Sequence, residues 1–114
     1  MKKELKKTEM GLQKVIVDWL NLNRYFVWRN NSGAVFSEYK GRTRMIKFGL
    51  KGSADIIGIS PAGKFLACEV KVGSYKPTPE QLLFLERIKA NGGIAFWVKS
   101  LEEVILNLKD YAKQ

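Results

Sequence analysis

The stretch that most constrains the fold runs from Asp55 to Lys71 and predicts a β-hairpin. Two short apolar runs, Ile56–Ile59 and Phe65–Val70, have the length and residue types of strands. The segment between them contains Pro61 and Gly63, which suit a type I turn followed by a left-handed residue. The sequence therefore predicts two antiparallel strands joined by a three-residue loop with a bulge.

The register of this hairpin places two carboxylates opposite each other. A loop that pairs Ser60 with Lys64 brings Asp55 across from Glu69, with Cβ atoms about 5 Å apart. Because side chains alternate along a strand, Lys71 shares a face with Glu69. Opposed like charges weaken a strand pair, whereas converging oxygen ligands are what Mg²⁺ or Mn²⁺ requires. The alternative is a solvent-facing cluster that Lys71 partly neutralises, but the apolar flanking runs favour the metal site.

The composition limits the chemistry available to the chain. Its 114 residues are expected to form one domain, 1–114. Twenty Lys and Arg against 11 Asp and Glu give a net charge of +9, which favours a polyanionic partner, nucleic acid ahead of an anionic membrane. No apolar run approaches the roughly 18 residues of a membrane span, and the lysine-rich start is not followed by a signal-peptide core. One cysteine and no histidine exclude an internal disulfide, a Cys-based zinc site and Ser–His catalysis.

The first helix is predicted over residues 4–22. Its buried stripe has helical spacing and consists of Leu12, Val15, Ile16, Trp19 and Leu20. Extending this stripe backward places Glu9 near the edge of the apolar face. A carboxylate there is costly to bury unless it is paired or bound to a cation. Glu9 is therefore either a rim side chain that reaches solvent or a lysine, or a member of the carboxylate site.

The segment before the hairpin is rich in cations. Tyr25–Arg29 is predicted as a strand and residues 30–33 as a turn, and residues 34–36 and 45–48 could form a further strand interrupted by the polar segment 37–44. Five cations follow: Lys40, Arg42, Arg44, Lys47 and Lys51. A charged loop is often only solvated. This one leads directly into Asp55, however, so we expect its cations to contact a phosphate backbone beside the carboxylates.

The second half of the chain predicts helix, strand and helix. Thr78 and Gln81 form the ends of a capping box that begins a helix, which is buried through leucines and Ile88 and stopped by the glycines after Asn91. Ile94–Val98 is wholly apolar and is expected to be a central strand. A second capping box at 100–103 begins the last helix. The predicted order is α-β-β-β-α-β-α, a mixed α/β fold with helices on both sides of the sheet.

In this order, these residues resemble the PD-(D/E)XK nuclease superfamily, whose core runs α-β-β-β-α-β. More narrowly, the chain is similar to a stand-alone VRR-NUC domain, the virus-type replication-repair nuclease module. The resemblance extends from Glu9 to about Ser100. It is carried by Glu9, Trp28-Arg29 with Asn31-Ser32-Gly33, Gly52-x-x-Asp55-Ile56-Ile57-Gly58, Glu69-Val70-Lys71, Gln81 with Phe84-Leu85, and Gly92-Gly93-Ile94-Ala95.

The resemblance implies a restriction-endonuclease-like fold and a set of site residues. Asp55, Glu69 and the backbone carbonyl of Val70 would bind the metal, with Glu9 as an outer or second-metal ligand. Lys71 would orient or activate the attacking water. Gln81 would lie near the site, and its role as a capping residue is equally compatible with the sequence. Arg29 would join the five cations named above in binding DNA. Ala54 replaces the proline that gives the motif its first letter; because that proline only stiffens the strand entry, we expect activity to be kept.

The function implied by the resemblance is a Mg²⁺- or Mn²⁺-dependent DNA endonuclease. The family includes enzymes that act on branched DNA such as Holliday junctions in DNA repair, and one site per chain implies a homodimer for cutting two strands. We expect a cytoplasmic protein of a bacterial or phage-infected cell. One alternative is a basic nucleic-acid-binding module that has lost catalysis. Another is a basic protein bound to RNA or to a second protein, with the acids merely structural.

Overall fold

The computed structural model describes residues 8–30 and 33–112. Three helices and six strands are present in these ranges: α1 (Glu9–Leu22), β1 (Phe26–Arg29), β2 (Gly33–Tyr39), β3 (Arg42–Phe48), β4 (Ile56–Ile59), β5 (Phe65–Val70), α2 (Pro79–Ala90), β6 (Ile94–Val98) and α3 (Leu101–Ala112). β1, β4, β5 and β6 form a mixed sheet in that order, with β5 and β6 parallel. The mixed α/β class is confirmed.

The hairpin formed by β4 and β5 has the predicted register. Ile59 pairs with Phe65 and Ile57 pairs with Ala67. The loop closes through a hydrogen bond from the Ser60 amide to the Lys64 carbonyl at 2.8 Å. A second bond of 2.8 Å runs from the Gly63 amide to the Ser60 carbonyl. Gly63 has φ +82°, which is the left-handed residue that the bulge requires.

Helices cover both faces of the sheet, as predicted. On one face, Ile16 and Leu20 of α1 and Val104 of α3 pack with buried residues of the sheet such as Ile56 and Val70. On the other face, Leu85 of α2 packs with a small set of buried alanines, Ala54, Ala67 and Ala95. The first core holds the sheet to two helices, and the second holds it to one.

Two predictions about burial are wrong. β6 is not a central strand: it is the last strand of the sheet, beside β5. It is buried nonetheless because α2 and α3 pack against it, one from each face. In α2, Leu82 and Leu83 are exposed, and only Leu85 is buried. The strand residues that α2 covers are mainly alanines, so the contact between helix and sheet is small. Leu82 and Leu83 lie outside this contact and face solvent.

The segment from Gly33 to Phe48 is a separate hairpin. β2 and β3 pair antiparallel along their whole length, from Gly33 with Phe48 to Tyr39 with Arg42, and form a two-stranded sheet. The polar residues predicted to interrupt a strand instead form the end of this hairpin, where residues 40 and 41 make the turn with φ of 53° and 74°. The core order of the prediction is therefore confirmed, with one hairpin inserted between β1 and β4.

The first helix starts later than the lower bound predicted for it. Thr8 is its N-cap, and the Thr8 hydroxyl accepts a hydrogen bond from the Gly11 amide at 2.9 Å. The part predicted over residues 4–7 lies outside the described residues. Within the described ranges, none of the helices combines the length and the apolar character needed to cross a membrane.

Candidate active site

Asp55 is held at the entrance to β4 by contacts on both sides. Its backbone carbonyl accepts a hydrogen bond from the Asn30 amide at 2.7 Å, which continues the β1–β4 pairing by one residue. Its side-chain Oδ2 accepts a hydrogen bond from the Val70 amide at 2.8 Å. The carboxylate therefore bonds to the β5 backbone at the residue between Glu69 and Lys71.

The Asn30 side chain fixes the segment that leads into Asp55. Its Nδ2 group donates to the Ser53 hydroxyl at 2.7 Å and to the Ala54 carbonyl at 3.0 Å. From the sequence, Asn30 is predicted only as part of a turn. The signal that could have identified it is its position: a strand ends there, and a short amide side chain at such a point can bond to a neighbouring backbone. Asn30 is a positioning residue for the site.

Glu69 is buried, and within the described part of the chain its carboxylate has no hydrogen-bond partner. The residue is 1% exposed, and neither Oε1 nor Oε2 bonds to any of the described residues. Lys71 Nζ lies 3.8 Å from Glu69 Oε2, an ion-pair distance that is too long for a hydrogen bond. Buried carboxylates are normally hydrogen-bonded, because an unpartnered one loses its hydration without compensation. Two such oxygens beside a second carboxylate form a group that could hold a cation.

The electrostatics agree with this geometry. Burial and the neighbouring Asp55 carboxyl group raise the pKa of Glu69 from 4.5 to about 9, against the opposing effect of Lys71. Burial raises the pKa of Glu9 as well, with a further contribution from Asp55 and an opposing one from Lys71. The Cys68 thiol, fully buried on the opposite face of β5, has a pKa raised well above 9.0 by burial and by the two acids. Without a cation, negative charge is thus strongly disfavoured at Glu69.

A divalent cation fits the residues present. Asp55 and Glu69 supply hard carboxylate oxygens, and Mg²⁺ is commonly held by one or two carboxylates with water and substrate phosphate completing its ligands. The part of the chain that is described contains no cluster of three or more His, Cys, Asp or Glu residues placed to hold a metal. Within the described residues, the protein ligands of a metal would therefore be the two acids and a backbone oxygen. The predicted backbone ligand is the carbonyl of Val70.

The remaining predicted members of the site lie on helices. Glu9 begins α1 and is half-buried. Besides burial, the charge of Asp55 raises its pKa and the charge of Lys71 lowers it. The capping box of α2 is confirmed: Gln81 Oε1 accepts from the Thr78 amide at 2.9 Å, and the Thr78 hydroxyl accepts from the Gln81 amide at 3.2 Å. The cap uses only the oxygen of the Gln81 side chain.

Arg29 has a hydrogen-bond partner that was not predicted from the sequence. Its Nε donates to Oε1 of Gln13 at 3.0 Å, and Gln13 is only 7% exposed. Gln13 lies one helical turn after Glu9, on the same side of α1. This spacing is the feature of the sequence that could have identified Gln13. Arg29 itself is exposed.

The other predicted cations lie at the turn before β3, on β3 and on the segment that follows it. Arg42 and Arg44 are exposed and two residues apart on one strand, so they share a face of the hairpin. Lys40 is exposed at the turn, and Lys51 is exposed just before the entrance to β4. The backbone of Lys47 is part of β3, but its side chain lies outside the described residues. The expected cationic loop is thus largely a strand.

The order of the elements and the pair of acids at the start of β4 and the end of β5 define a restriction-endonuclease-like fold. No protein-family model and no curated protein matches the sequence. A solved structure of a VRR-NUC domain matches with a TM-score of 0.62 and 27% sequence identity, over 90% of this chain and 96% of that one. The match confirms the resemblance to the VRR-NUC domain, a nuclease-domain family.

Proposed function

We propose that the protein is a Mg²⁺- or Mn²⁺-dependent nuclease that hydrolyses phosphodiester bonds of DNA. The observation that carries this proposal is the buried, unpartnered carboxylate of Glu69 beside Asp55 and Lys71. A structural ion pair would leave no reason for both oxygens of Glu69 to lack hydrogen bonds. The net charge of +9 supports a polyanionic substrate.

Asp55 and Glu69 would hold the cation, with the carbonyl of Val70 as a backbone ligand and Glu9 as an outer or second-metal ligand. The cation, when bound, supplies a lowered pKa for water and compensation for negative charge on the phosphate. The hydrogen bond from the Val70 amide keeps Asp55 Oδ2 oriented, which leaves Oδ1 for the cation. Burial of Glu69 excludes competing water from its oxygens.

Lys71 would position the attacking water or the scissile phosphate. Its side chain is 13% exposed, and Nζ lies 3.8 Å from Glu69 Oε2. An ammonium group there can donate to a water and stabilise the negative charge that develops on phosphate. Gln81 would assist through its side-chain amide nitrogen, because the oxygen is occupied by the helix cap. Arg29, Lys40, Arg42, Arg44, Lys47 and Lys51 would contact the DNA backbone.

The test is metal-dependent cleavage of labelled DNA by wild type and site variants. Asp55→Asn and Glu69→Gln should lose most cleavage and still bind DNA, because affinity comes from Lys and Arg. Lys71→Ala should lower the rate by about 10²–10⁴-fold, the range for a positioned proton-transfer group. Asp18→Asn is the matched control, since this exposed acid on α1 pairs with Lys14 on the same helix. Binding without cleavage by wild type in Mn²⁺ would contradict the proposal.

We further propose that the enzyme prefers branched DNA, including four-way junctions, and acts as a homodimer. One carboxylate site per chain cuts one strand, so paired incisions need two copies. A panel of duplex, flap, splayed and four-way substrates should show the highest rate on branched forms. Sedimentation equilibrium should give a mass of twice 13.0 kDa. Equal rates on all substrates would contradict the preference, and a monomer mass would contradict the dimer.

A further inference from the structure

Four exposed apolar side chains form what we call the aromatic patch: Phe26, Trp28, Ile59 and Phe65. They are 67%, 44%, 43% and 41% exposed. Phe26 pairs with Ile59, and Ile59 pairs with Phe65, so these three lie side by side across β1, β4 and β5. Trp28 lies two residues along β1, and its ring centroid is 5.4 Å from that of Phe26. Contiguous exposed apolar surface of this kind commonly marks a binding site.

The aromatic patch lies on the same sheet face as the catalytic acids. Phe65 and Glu69 are four residues apart on β5, and alternation places them on one face. Trp28 pairs with Ile57, which is two residues from Asp55 on β4. Measured along the strands, Trp28 therefore lies about 7 Å from the level of Asp55 and Glu69. On this face α2 packs against β5 and β6. Among the described elements, it leaves β1 uncovered.

The chemistry of the patch matches nucleobases. Every base has a π-face, and stacking on aromatic side chains is how proteins hold unpaired bases without reading their sequence. The rings of Phe26 and Trp28 are tilted by 58°, so they are not stacked face to face on each other. Two exposed cations adjoin the patch in the chain: Arg24 comes two residues before Phe26, and Lys64 comes directly before Phe65. Aromatic rings flanked by cations provide both the stacking surface and the phosphate contacts that a single strand needs.

A second copy of the chain is a poorer occupant. A partner packed on the aromatic patch would lie only two strand residues from Asp55. It would therefore hinder the approach of a phosphate to the two acids. A DNA strand on the patch has the opposite effect, because its backbone would then continue toward the acids. The homodimer proposed above would therefore use another surface.

Resting on the proposed nuclease function, we propose that Phe26 and Trp28 of the aromatic patch stack unpaired nucleobases of the strand being cut. The substrate class would then be DNA with a single-stranded segment beside the scissile phosphate, such as the unpaired arms at a branch point. This assigns Phe26 and Trp28 as specificity residues that touch substrate without taking part in the chemistry.

The experiment compares two ligands in EDTA, where no cleavage occurs. One is an oligothymidine of about 12 nucleotides, and the other is an abasic backbone of the same length and charge. Stacking is worth a factor of about 5–150 in affinity for each base held, so wild type should prefer the oligothymidine by at least about fivefold. The variant Phe26→Leu/Trp28→Leu keeps the apolar surface without rings and should bind both ligands within about twofold. Its salt dependence should equal that of wild type, because phosphate contacts remain.

The matched control is Leu106→Ala, which removes an exposed apolar side chain from α3 and should keep the base preference. Equal binding of the two ligands by wild type would overturn the inference, as would a double variant that keeps the preference. The inference would also be overturned if the double variant lost a dimer seen for wild type while its base preference stayed unchanged; the patch would then be a subunit interface.

The outcomes separate this inference from the nuclease proposal. Base preference in EDTA that depends on the two rings, together with no cleavage in Mn²⁺, would support the stacking site and refute the nuclease. Cleavage in Mn²⁺ without any base preference in EDTA would support the nuclease and refute the stacking site.

Discussion

Replacing Glu69 with Gln should remove a pH dependence of stability that the wild-type protein has in the absence of metal. Folded Glu69 keeps its proton up to a pH near its pKa of about 9, whereas the unfolded side chain releases it above about 4.5. Folding therefore takes up a proton between these values, and the free energy of unfolding falls as the pH rises through this window. Between pH 4.5 and pH 7 the loss is at most about 3 kcal/mol, at about 1.4 kcal/mol per pH unit. Water that enters the site when Glu69 ionises would reduce this loss of stability.

The assay is thermal unfolding in EDTA across this pH range for wild type and Glu69→Gln. A change of 3 kcal/mol corresponds to a difference in Tm of at least about 10 °C for a domain of this size. The wild-type Tm should fall relative to the variant as the pH rises, and Mn²⁺ should raise the Tm of wild type alone. Glu86→Gln, at an exposed glutamate on α2, is the matched control and should follow wild type. Parallel profiles for wild type and Glu69→Gln would refute the argument that burial holds this carboxyl neutral.

Three further predictions concern the residues around the site. Asn30→Ala should slow single-turnover cleavage by about tenfold or more, because small displacements of a catalytic group are costly, and unchanged turnover would remove its positioning role. Gly52→Ala should cost about 1–3 kcal/mol in urea unfolding, since Gly52 has φ +82° and a Cβ there would lie 2.9 Å from a carbonyl of α2. Gly63→Ala, at the same φ with open space, should cost less, and equal costs would rule out the close contact. Arg42→Ala/Arg44→Ala should lower the log–log salt slope of duplex binding by about 1.8; an unchanged slope would make this strand an ordinary solvated surface.

The β4–β5 hairpin was predictable because local rules determine it. The turn chemistry of Pro61 and Gly63 sets the loop, the loop sets the register, and the register brings Asp55 to Glu69. No longer-range information is needed for any of these steps. The capping box at Thr78 was predictable for the same reason, since it is an interaction between residues three apart.

What the sequence did not predict depends on packing between distant segments. The burial of β6 results from helices on both of its faces, so its apolar composition could not distinguish a central strand from a covered edge strand. The contact of Gln13 with Arg29 and that of Asn30 with Ser53 join residues far apart in the chain. Short polar side chains carry no sequence pattern that identifies such partners.

The second hairpin shows a different limit. Residues 37–44 are polar, and polar runs are typical of loops, but a strand whose side chains face solvent, as those of residues 42–45 do, has no need of alternating apolar residues. The sequence signal was there in Gly41, which follows Lys40 at the turn, with equal lengths of strand on either side. The cations were expected on a loop, whereas the strand fixes the spacing of Arg42 and Arg44 along one face.

The central claim is that Asp55 and Glu69 together hold a divalent cation. The most direct measurement is titration with Mn²⁺ followed by electron paramagnetic resonance, which counts the free ion, for wild type, Asp55→Asn, Glu69→Gln and the control Asp18→Asn. Wild type and Asp18→Asn should bind Mn²⁺ with the same affinity, more tightly at pH 8 than at pH 6, because the proton on Glu69 competes with the ion. Asp55→Asn and Glu69→Gln should each lose this binding. Mn²⁺ binding by both site variants with the wild-type affinity would contradict the account.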